Sequence, residues 1–482
     1  MPSTDIWLEK LNGAVGSNGF SVDADDIAPW LTDWRGRYTG KAAAMLSPAS
    51  TEEVSAIVKI AHEHEIPIVP QGGNSGMVGG ATPDDSGHSI LLSLRRMNQI
   101  RQIDADNQLA ICDAGVILQN FHEALEPHGQ RFPLTLGGKG SATIGGLVST
   151  NAGGTQVLRH GTMRALVAGI EAVMPDGSIY SGLAALKKDN RGYDLKQLLI
   201  GGEGTLGIVT AATLKTCPAL VDRCVAWIGV DSPQTAYRLF QFLNMEENRH
   251  LEGFEIVPAS CLDAVLRHIP DTRSPLAETT PWNVLIEIVR DQPDAIDPRE
   301  LVESLLEKAF ERGLAVDATI ATNETQADAF WKLRESISEA ERADGPALQH
   351  DISVPVHKMA DFISDAGPEI EAAFAGTKVA AFGHMGDGNV HFHVKGPEGV
   401  QSKLWMDQHA VKITPMVHDL VMQSGGSISA EHGIGQNKRE ELGRLTDDAQ
   451  LLTLRSIKTA LDPKNIMNPG KLVPLASQRS AP

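Results

Sequence analysis

The residues best suited to chemistry lie in Phe382-Gly-His-Met-Gly-Asp-Gly-Asn-Val-His-Phe-His393. Asp387-Gly388 is a strong two-residue hairpin turn. Folding about it sets Gly386 opposite Asn389, Met385 opposite Val390 and His384 opposite His391. Directly opposed residues share a sheet face, with Cβ atoms about 4.5–5.5 Å apart. Two imidazoles so placed can grip one metal ion, and His393, two residues on, faces the same way. The competing reading is a solvated, histidine-rich hairpin. Glu431-His432-Gly-Ile-Gly435 supplies a third ligand. Two imidazoles and a carboxylate suit zinc, and also manganese or iron, and leave positions open for a substrate. Sequence neighbours in a regular strand point to opposite faces. Glu431 and His432 therefore serve one site only if the glycines after them bend the chain; a plain glycine-rich turn is the alternative. Arg334 sits in Ala329-Phe-Trp-Lys-Leu-Arg-Glu-Ser-Ile-Ser338, a helical pattern that puts Arg334 and Ser338 on one face. A guanidinium fork binds a carboxylate in bidentate fashion, though an ordinary surface arginine is the commoner case.

The glycines form a second signal. Pro70-Gln-Gly-Gly-Asn-Ser-Gly-Met-Val-Gly-Gly80 directly follows an apolar segment. Successive glycines expose backbone N–H groups with no Cβ in the way, a concave row of donors that suits a pyrophosphate. No Gly-Lys-Ser/Thr follows, so this is not a Walker A loop. Gly202-Glu-Gly-Thr-Leu-Gly207 matches the dinucleotide fingerprint GxGxxG, but that fingerprint needs a helix next. Ile208-Val-Thr-Ala-Ala-Thr-Leu214 reads instead as a strand, which excludes a Rossmann site.

Gly137-Gly-Lys-Gly-Ser-Ala-Thr-Ile-Gly-Gly146, Ser149-Thr-Asn-Ala-Gly-Gly154 and Asn190-Arg-Gly-Tyr-Asp-Leu195 join these two loops in a fixed order. With them the chain, from about Leu46 to Leu472, resembles the FAD-binding oxidoreductases of the vanillyl-alcohol oxidase type, in the D-lactate, glycolate and D-2-hydroxyglutarate dehydrogenase branch. The resemblance implies an α+β fold: a two-subdomain FAD-binding (PCMH-type) domain over 1–222, an α+β substrate cap carrying the metal site over 223–440, and a C-terminal helical return over 441–482. It places the FAD pyrophosphate on Gly72, Gly73, Asn74, Ser75 and Gly76, beside Pro70. It gives the rest of the cofactor to Gly138, Ser141, Gly145, Gly146, Thr150, Asn151, Gly154, Glu203, Gly204 and Ile208, with Asn468 reaching it from the tail. Some relatives attach FAD through a histidine in the first glycine loop. Pro70 to Gly80 contains none, so non-covalent FAD is expected.

The same resemblance assigns His384, His391 and Glu431 to a divalent metal, zinc by preference, His432 to the catalytic base and Arg334 to the substrate carboxylate. Ser338, Gln349, Asn389 and His393 join Arg334 as substrate-binding residues. The implied reaction is metal-assisted oxidation of a D-2-hydroxy acid to the 2-oxo acid, with hydride passing to flavin N5. Leu136 to Gly146 looks most like the D-2-hydroxyglutarate branch. That branch carries a lysine where this chain has Gln349, an asparagine where it has His393 and a threonine where it has Ser338. The departures point to a relaxed or different substrate side chain, with hydroxyglutarate, malate and lactate all open. Three rival readings stand beside this one: a D-lactate or glycolate-type flavin oxidase, a metal hydrolase on His384, His391 and Glu431, and a flavin-carrying electron-transfer module.

The elements that must position these residues change character along the chain. Glycine clusters lie before residue 218, separated by strand-like segments (66–69, 89–93, 109–112, 169–173). The segment 51–63 puts Val54, Ile57, Val58 and Ala61 on one helical face, with Thr51 able to cap its start. From Val225, strands (225–230, 282–288) alternate with long helices (233–244, 327–343), and 447–474 reads as a helix followed by an irregular tail. The 482 residues suggest two or three domains. A net charge of −19, from 42 basic and 61 acidic residues, argues against nucleic acid or an anionic membrane surface as partner. No stretch is apolar for the length of a membrane span, and Met1 to Leu11 lacks a secretory pattern. Cysteines 112, 217, 224 and 261 show no ligand spacing and read as reduced thiols, so a cytoplasmic location is expected. The electron acceptor (an electron-transfer flavoprotein, a quinone or a similar carrier) is open, as is a homodimer.

Overall fold

The fold is given by a computed structural model that describes residues 4–247, 249–292, 296–397 and 399–474. The chain divides into two units, the first made of Met1–Gly154, His160–Pro218 and Glu431–Pro482, the second of Thr155–Arg159 and Ala219–Ala430. The last residues of the expected C-terminal return, 475–482, lie outside the described residues.

In the first unit, β1 (Phe20–Ser21), β2 (Ala44–Leu46), β3 (Ile68–Gln71) and β4 (Ile90–Ser93) form a sheet of order β1-β2-β4-β3, parallel except at β1. Every residue of β4 is buried, as a parallel strand covered on both faces requires. The helix Thr51–His64 crosses from β2 to β3 and buries Val54, Ile57, Val58 and Ala61. Its cap is Ser50, whose side chain accepts from Glu53 N, rather than Thr51. Thr51 is already helical and its hydroxyl donates to Glu171 Oε1 at 2.7 Å. Both neighbours carry a capping hydroxyl, so side-chain type alone could not choose between them.

A second sheet in this unit runs β5 (Ile100–Asp104), β6 (Leu109–Asp113), β10 (Ile208–Lys215), β8 (Val167–Val173), β9 (Ile179–Gly182), all antiparallel. A short ribbon pairs β7 (Gln130–Arg131) with β11 (Cys217–Pro218). Residues 202–207 lead directly into β10, so the GxGxxG segment has no helix behind it and the exclusion of a Rossmann site holds.

The second unit is built on seven antiparallel strands: β12 (Asp222–Val230), β13 (Leu251–Pro258), β14 (Trp282–Arg290), β15 (Asp317–Ile320), β16 (Ala347–Ser353), β17 (Lys378–His384) and β18 (Asn389–Lys395), in order β15-β12-β14-β13-β17-β18-β16. One face buries Ile256, Ile286, Phe392 and Val394 against helices that include Pro233–Glu247, Pro298–Glu311, Met359–Ala373 and Ser402–Gln423. The other buries Trp227, Leu285 and Phe382 against Ala259–His268, Glu324–Glu335 and Ile337–Asp344. Each such apolar side chain contributes about 1.5–3 kcal/mol on leaving water. The helix expected over 327–343 is therefore two, Glu324–Glu335 and Ile337–Asp344, interrupted at Ser336. Arg334 and Ser338 do not share one uninterrupted helical face. No glycine or proline marks the break, which is why periodicity ran through it.

Candidate active site: a histidine face and the glycine loops

The hairpin carrying the histidines is wider than its Asp-Gly turn suggests. Residues 385–388 all lie in the turn, and β17 pairs with β18 through His384↔Asn389, Gly383↔Val390 and Phe382↔His391. His384 and His391 are thus diagonal neighbours rather than direct partners. The cause lies in β13: Met385 N donates to Phe254 O at 3.1 Å, which draws Met385 out of the β18 ladder. Asp387 Oδ1 then accepts from Asn389 N at 2.9 Å to close the turn. The register moves by two residues, an even number, so every side chain keeps its face. The imidazoles of His384 and His391 still meet, with ring centroids 5.4 Å apart. A Cβ on Gly386 would stand 2.6 Å from Leu158 Cδ1, so any side chain there would have to displace that leucine.

The same face gathers charge from three more elements. Glu255 of β13, directly opposite His384, is buried. Its Oε1 lies 2.5 Å from His384 Nδ1, and its Oε2 accepts from Arg334 Nε at 2.8 Å. Burial alone would raise the Glu255 pKa, but the His384 and Arg334 charges outweigh it and hold the carboxyl below its ordinary value. Asp351 of β16, opposite His391, is buried and accepts from Asn389 Nδ2 at 3.0 Å. His391 is pushed well below the usual histidine range by burial first, then by Arg334 and His384, against the opposing pull of Asp351. A neutral imidazole is the form that ligates a metal. The Glu255 contact occupies Nδ1 of His384, so a ligand role would fall to Nε2; a carboxylate commonly orients a metal-bound histidine in this way.

Beyond His391, the Phe382 ring lies 5.1 Å from both His391 and His393, and the Arg334 guanidinium sits 4.9 Å over it. His393 Nδ1 is bonded to Glu341 Oε2, and Gln349 stands opposite His393 in the sheet register. Asn389 has both amide donors engaged, on Asp351 and on Ile352 O. Ser338 is half-buried on the helix after the break. Sequence reasoning missed Glu255, Asp351 and Glu341. A carboxylate inside the otherwise apolar run Phe254 to Val257 was the available signal for Glu255. Nothing comparable marked Glu341 on its helix.

In the first unit, residues 72–76 leave β3 and lie against 141–143. A Cβ on Gly73 would stand 1.7 Å from Ser141 O, and one on Gly72 2.2 Å from Thr143 Oγ1. Thr143 caps the helix Ile144–Thr150 by accepting from Gly146 N, and Thr150 Oγ1 donates back to Gly146 O. Asn74 turns its amide to Thr32 O, and Asn151 Oδ1 accepts from Thr162 Oγ1 and Arg164 N. Gly145 and Gly154 are close approaches to Ala114 and Thr135, and Gly204 packs on Pro70. The buried Glu203 carboxylate accepts from the N–H groups of Ile434 and Gly435, each at 2.7 Å. Burial raises its pKa against those two bonds. Glu431 and His432 precede Gly433, whose φ of +78° bends the chain, so the local condition for both to serve one site is met. Asn468 donates to Gly80 O and Glu203 O.

These loops fit a phosphate-bearing cofactor on two observations. No atom among the described residues lies within 4 Å of a Cβ built on Gly76 or Gly137, so backbone N–H groups there stand clear of side chains. Asn468 Oδ1 is buried without a hydrogen-bond partner among the described residues, an acceptor that a bound N–H or O–H would satisfy.

Comparison with known proteins agrees. Residues 42–182 match the FAD binding domain family and residues 221–472 the FAD linked oxidases, C-terminal domain, family. The chain is 36% identical over 460 residues to the mitochondrial D-2-hydroxyglutarate dehydrogenase of Arabidopsis thaliana, covering 95% of this chain and 80% of that one. It is 38% identical over 454 residues to the mitochondrial D-2-hydroxyglutarate dehydrogenase of Danio rerio, covering 94% and 82%. Among solved structures, p-cresol methylhydroxylase with substrate bound superposes with a TM-score of 0.72 at 16% identity, covering 97% and 96% of the two chains, a likeness of fold. The names of these relatives correct the expectation of a cytoplasmic protein, because they are mitochondrial. Reduced thiols and an acidic balance report a redox state and a charge, and neither separates one reducing compartment from another. Among the described residues, no helix is long and apolar enough to cross a membrane. From its glycine loops, its PCMH-type fold and these relatives, the chain belongs to the FAD-binding oxidoreductases of the vanillyl-alcohol oxidase type, in the D-2-hydroxyglutarate and D-lactate dehydrogenase branch.

Proposed function

We infer that the chain oxidises a D-2-hydroxy acid to the 2-oxo acid, with FAD held by the first unit and the substrate cap formed by the second, which ends at Ala430 rather than at the expected residue 440. One observation carries the reading: a single buried carboxylate, Glu255, holds both a metal-type histidine and the arginine suited to the substrate carboxylate. FAD, when bound non-covalently to the glycine loops, supplies the hydride acceptor at N5. A divalent cation, zinc by the chemistry of its donors, supplies the Lewis acidity that lowers the pKa of the substrate hydroxyl. His384, His391 and Glu431 would hold such a cation.

Arg334 binds the substrate carboxylate. Its Nε is engaged by Glu255, and its two terminal nitrogens have no hydrogen-bond partner among the described residues, which leaves that edge of the fork for a ligand. His432 takes the hydroxyl proton as general base. Electrons leave to an external acceptor.

Anaerobic titration of the flavoprotein with D- and L-2-hydroxy acids, with and without a chelator, tests this reading. Loss of the flavin absorbance with D-acids alone, slowed by chelation, is the expected result. A flavin that stays oxidised with every D-acid would overturn it.

A further inference from the structure

Five residues interrupt the first unit. Thr155–Arg159 belongs to the second unit, although the chain on either side of it, up to Gly154 and from His160, belongs to the first. This segment is fastened at two places. The Arg159 guanidinium donates from Nη1 to Glu252 Oε2 at 3.0 Å and from Nη2 to Asp291 Oδ2 at 2.5 Å. Glu252 is buried and is the extra residue of a bulge in β13, where the register against β14 shifts between Leu251 and Gly253. Leu158, beside Arg159, is partly buried against the core that holds Met385 and Val390. Its Cδ1, Cδ2 and Cγ would lie 2.6, 2.9 and 3.1 Å from a Cβ on Gly386. The leucine thus fills the space that a side chain at 386 would need. The 385–388 turn has little freedom elsewhere. Met385 N is held by Phe254 O, and a Cβ on Gly388 would meet the Val354 carbonyl oxygen at 2.1 Å. Gly388 N donates to His384 O at 3.1 Å, so a shift of the turn passes to the backbone of His384.

We propose that Leu158, anchored by Arg159, is a positioning residue for His384: it seats the 385–388 turn and so sets the aim of that imidazole. The proposal rests on the metal role inferred above for His384 and adds the residue that fixes its direction. Leu158 bears on the turn that follows His384. Arg159 bears on β13 three residues before Glu255, the carboxylate at His384 Nδ1. The segment thus braces both members of the His384–Glu255 contact. Close packing transmits a displacement here, because a filled interior has no void to absorb it. Metal sites notice small displacements, since ligand distances stay within about 0.2 Å of their preferred values. Neither a leucine nor an arginine supplies a donor to a metal, so both residues act through His384.

The test is a double-mutant cycle on the flavin-loaded protein, stripped with a chelator and titrated with Zn2+ by calorimetry. Gly386→Ala drives a methyl group into Leu158 and is expected to weaken Zn2+ binding about tenfold or more, the scale of losing a group that orients a ligand. Leu158→Ala makes room for that methyl. In its background Gly386→Ala is expected to cost about threefold or less, the kind of coupling that residues in contact show. Leu158→Ala alone loosens the turn and is expected to weaken Zn2+ binding about threefold or more, while Leu158→Met, close in volume, restores it. This second pair reads the proposal by itself should Gly386→Ala fail to fold. Flavin content and the melting temperature of the metal-free protein accompany each titration. A leucine that merely fills the core would lower the melting temperature and leave Zn2+ affinity unmoved, and that result for Leu158→Ala overturns the proposal. So does a Gly386→Ala cost that is equal in both backgrounds. If the wild-type protein binds no Zn2+, the metal reading of His384 fails and this proposal falls with it, a result distinct from binding without coupling.

Discussion

Glu255 Oε1 lies 2.5 Å from His384 Nδ1, although the two residues are 129 positions apart in sequence. The sheet makes this contact, since Glu255 and His384 are register partners between β13 and β17. The other carboxylate oxygen takes Arg334, so one buried carboxylate anchors both the histidine and the arginine to which the proposed function gives the metal and the substrate. Glu255→Gln is expected to weaken metal affinity about 10–100-fold, the usual effect of losing a carboxylate behind a ligating histidine. It should also lower kcat/KM. Metal titration by calorimetry, beside flavin reduction kinetics, measures both; unchanged metal affinity would remove Glu255 from the metal's support.

His384→Ala is expected to abolish metal-dependent turnover while leaving flavin content intact, because the glycine loops belong to the other unit. Metal analysis and the flavin spectrum of the purified variant check this. Loss of bound flavin together with the metal would show that the two sites are not separable in this way.

The close approach at Gly73 gives a steric prediction. A Cβ 1.7 Å from a backbone carbonyl cannot be accommodated by a rotamer change, so Gly73→Ala must move the 72–76 loop away from 141–143. The expected cost is about 1–3 kcal/mol of stability, with lowered flavin retention. Thermal unfolding with and without added FAD reads it, and a variant as stable and as flavin-rich as the parent would contradict so close a packing of these loops.

Lys458 is buried in the tail helix Asp448–Leu461, where it donates to Asp462 Oδ2 at 2.5 Å and to Thr205 O and Met467 O at 2.8 Å each. Asp462 in turn accepts from Ile466 N and Met467 N, which fixes the backbone just before Asn468. Lys458→Met strands a buried carboxylate and is expected to destabilise the fold by about 3–5 kcal/mol. Chemical denaturation measures this. A loss under about 1 kcal/mol would mean that Asp462 finds other partners.

Lys471 supplies the pH dependence. Burial lowers its pKa from an ordinary 10.5 to about 8. Between about pH 8 and 10.5 the unfolded chain therefore binds more protons than the folded one, and this group makes stability rise with pH through that window. Below about pH 8 the folded protein carries the full cost of the buried charge, on the order of 3 kcal/mol. Lys471→Met is expected to raise stability at pH 7 and to flatten the rise. Denaturation at pH 7 and pH 10 checks both, and a stability difference unaltered by the substitution would show that Lys471 is solvated.

Much of this protein was legible in its residues. The order of glycine loops identified the flavin fold, and the strand after Gly207 excluded a Rossmann site because phosphate binding there needs a helix N-terminus. Alternation in β17 and β18 put His384, His391 and His393 on one face, and that survived a wrong register because the error was an even number of residues. The turn itself was misread, since a local Asp-Gly signal carries no information about a neighbouring strand competing for the N–H of Met385. The break at Ser336 was invisible for a related reason, with no glycine or proline to announce it. Glu255, Asp351 and Glu341 belong to the tertiary structure alone. Their roles come from being buried beside particular histidines, and which distant residues share a face is decided by sheet order, which sequence spacing does not encode.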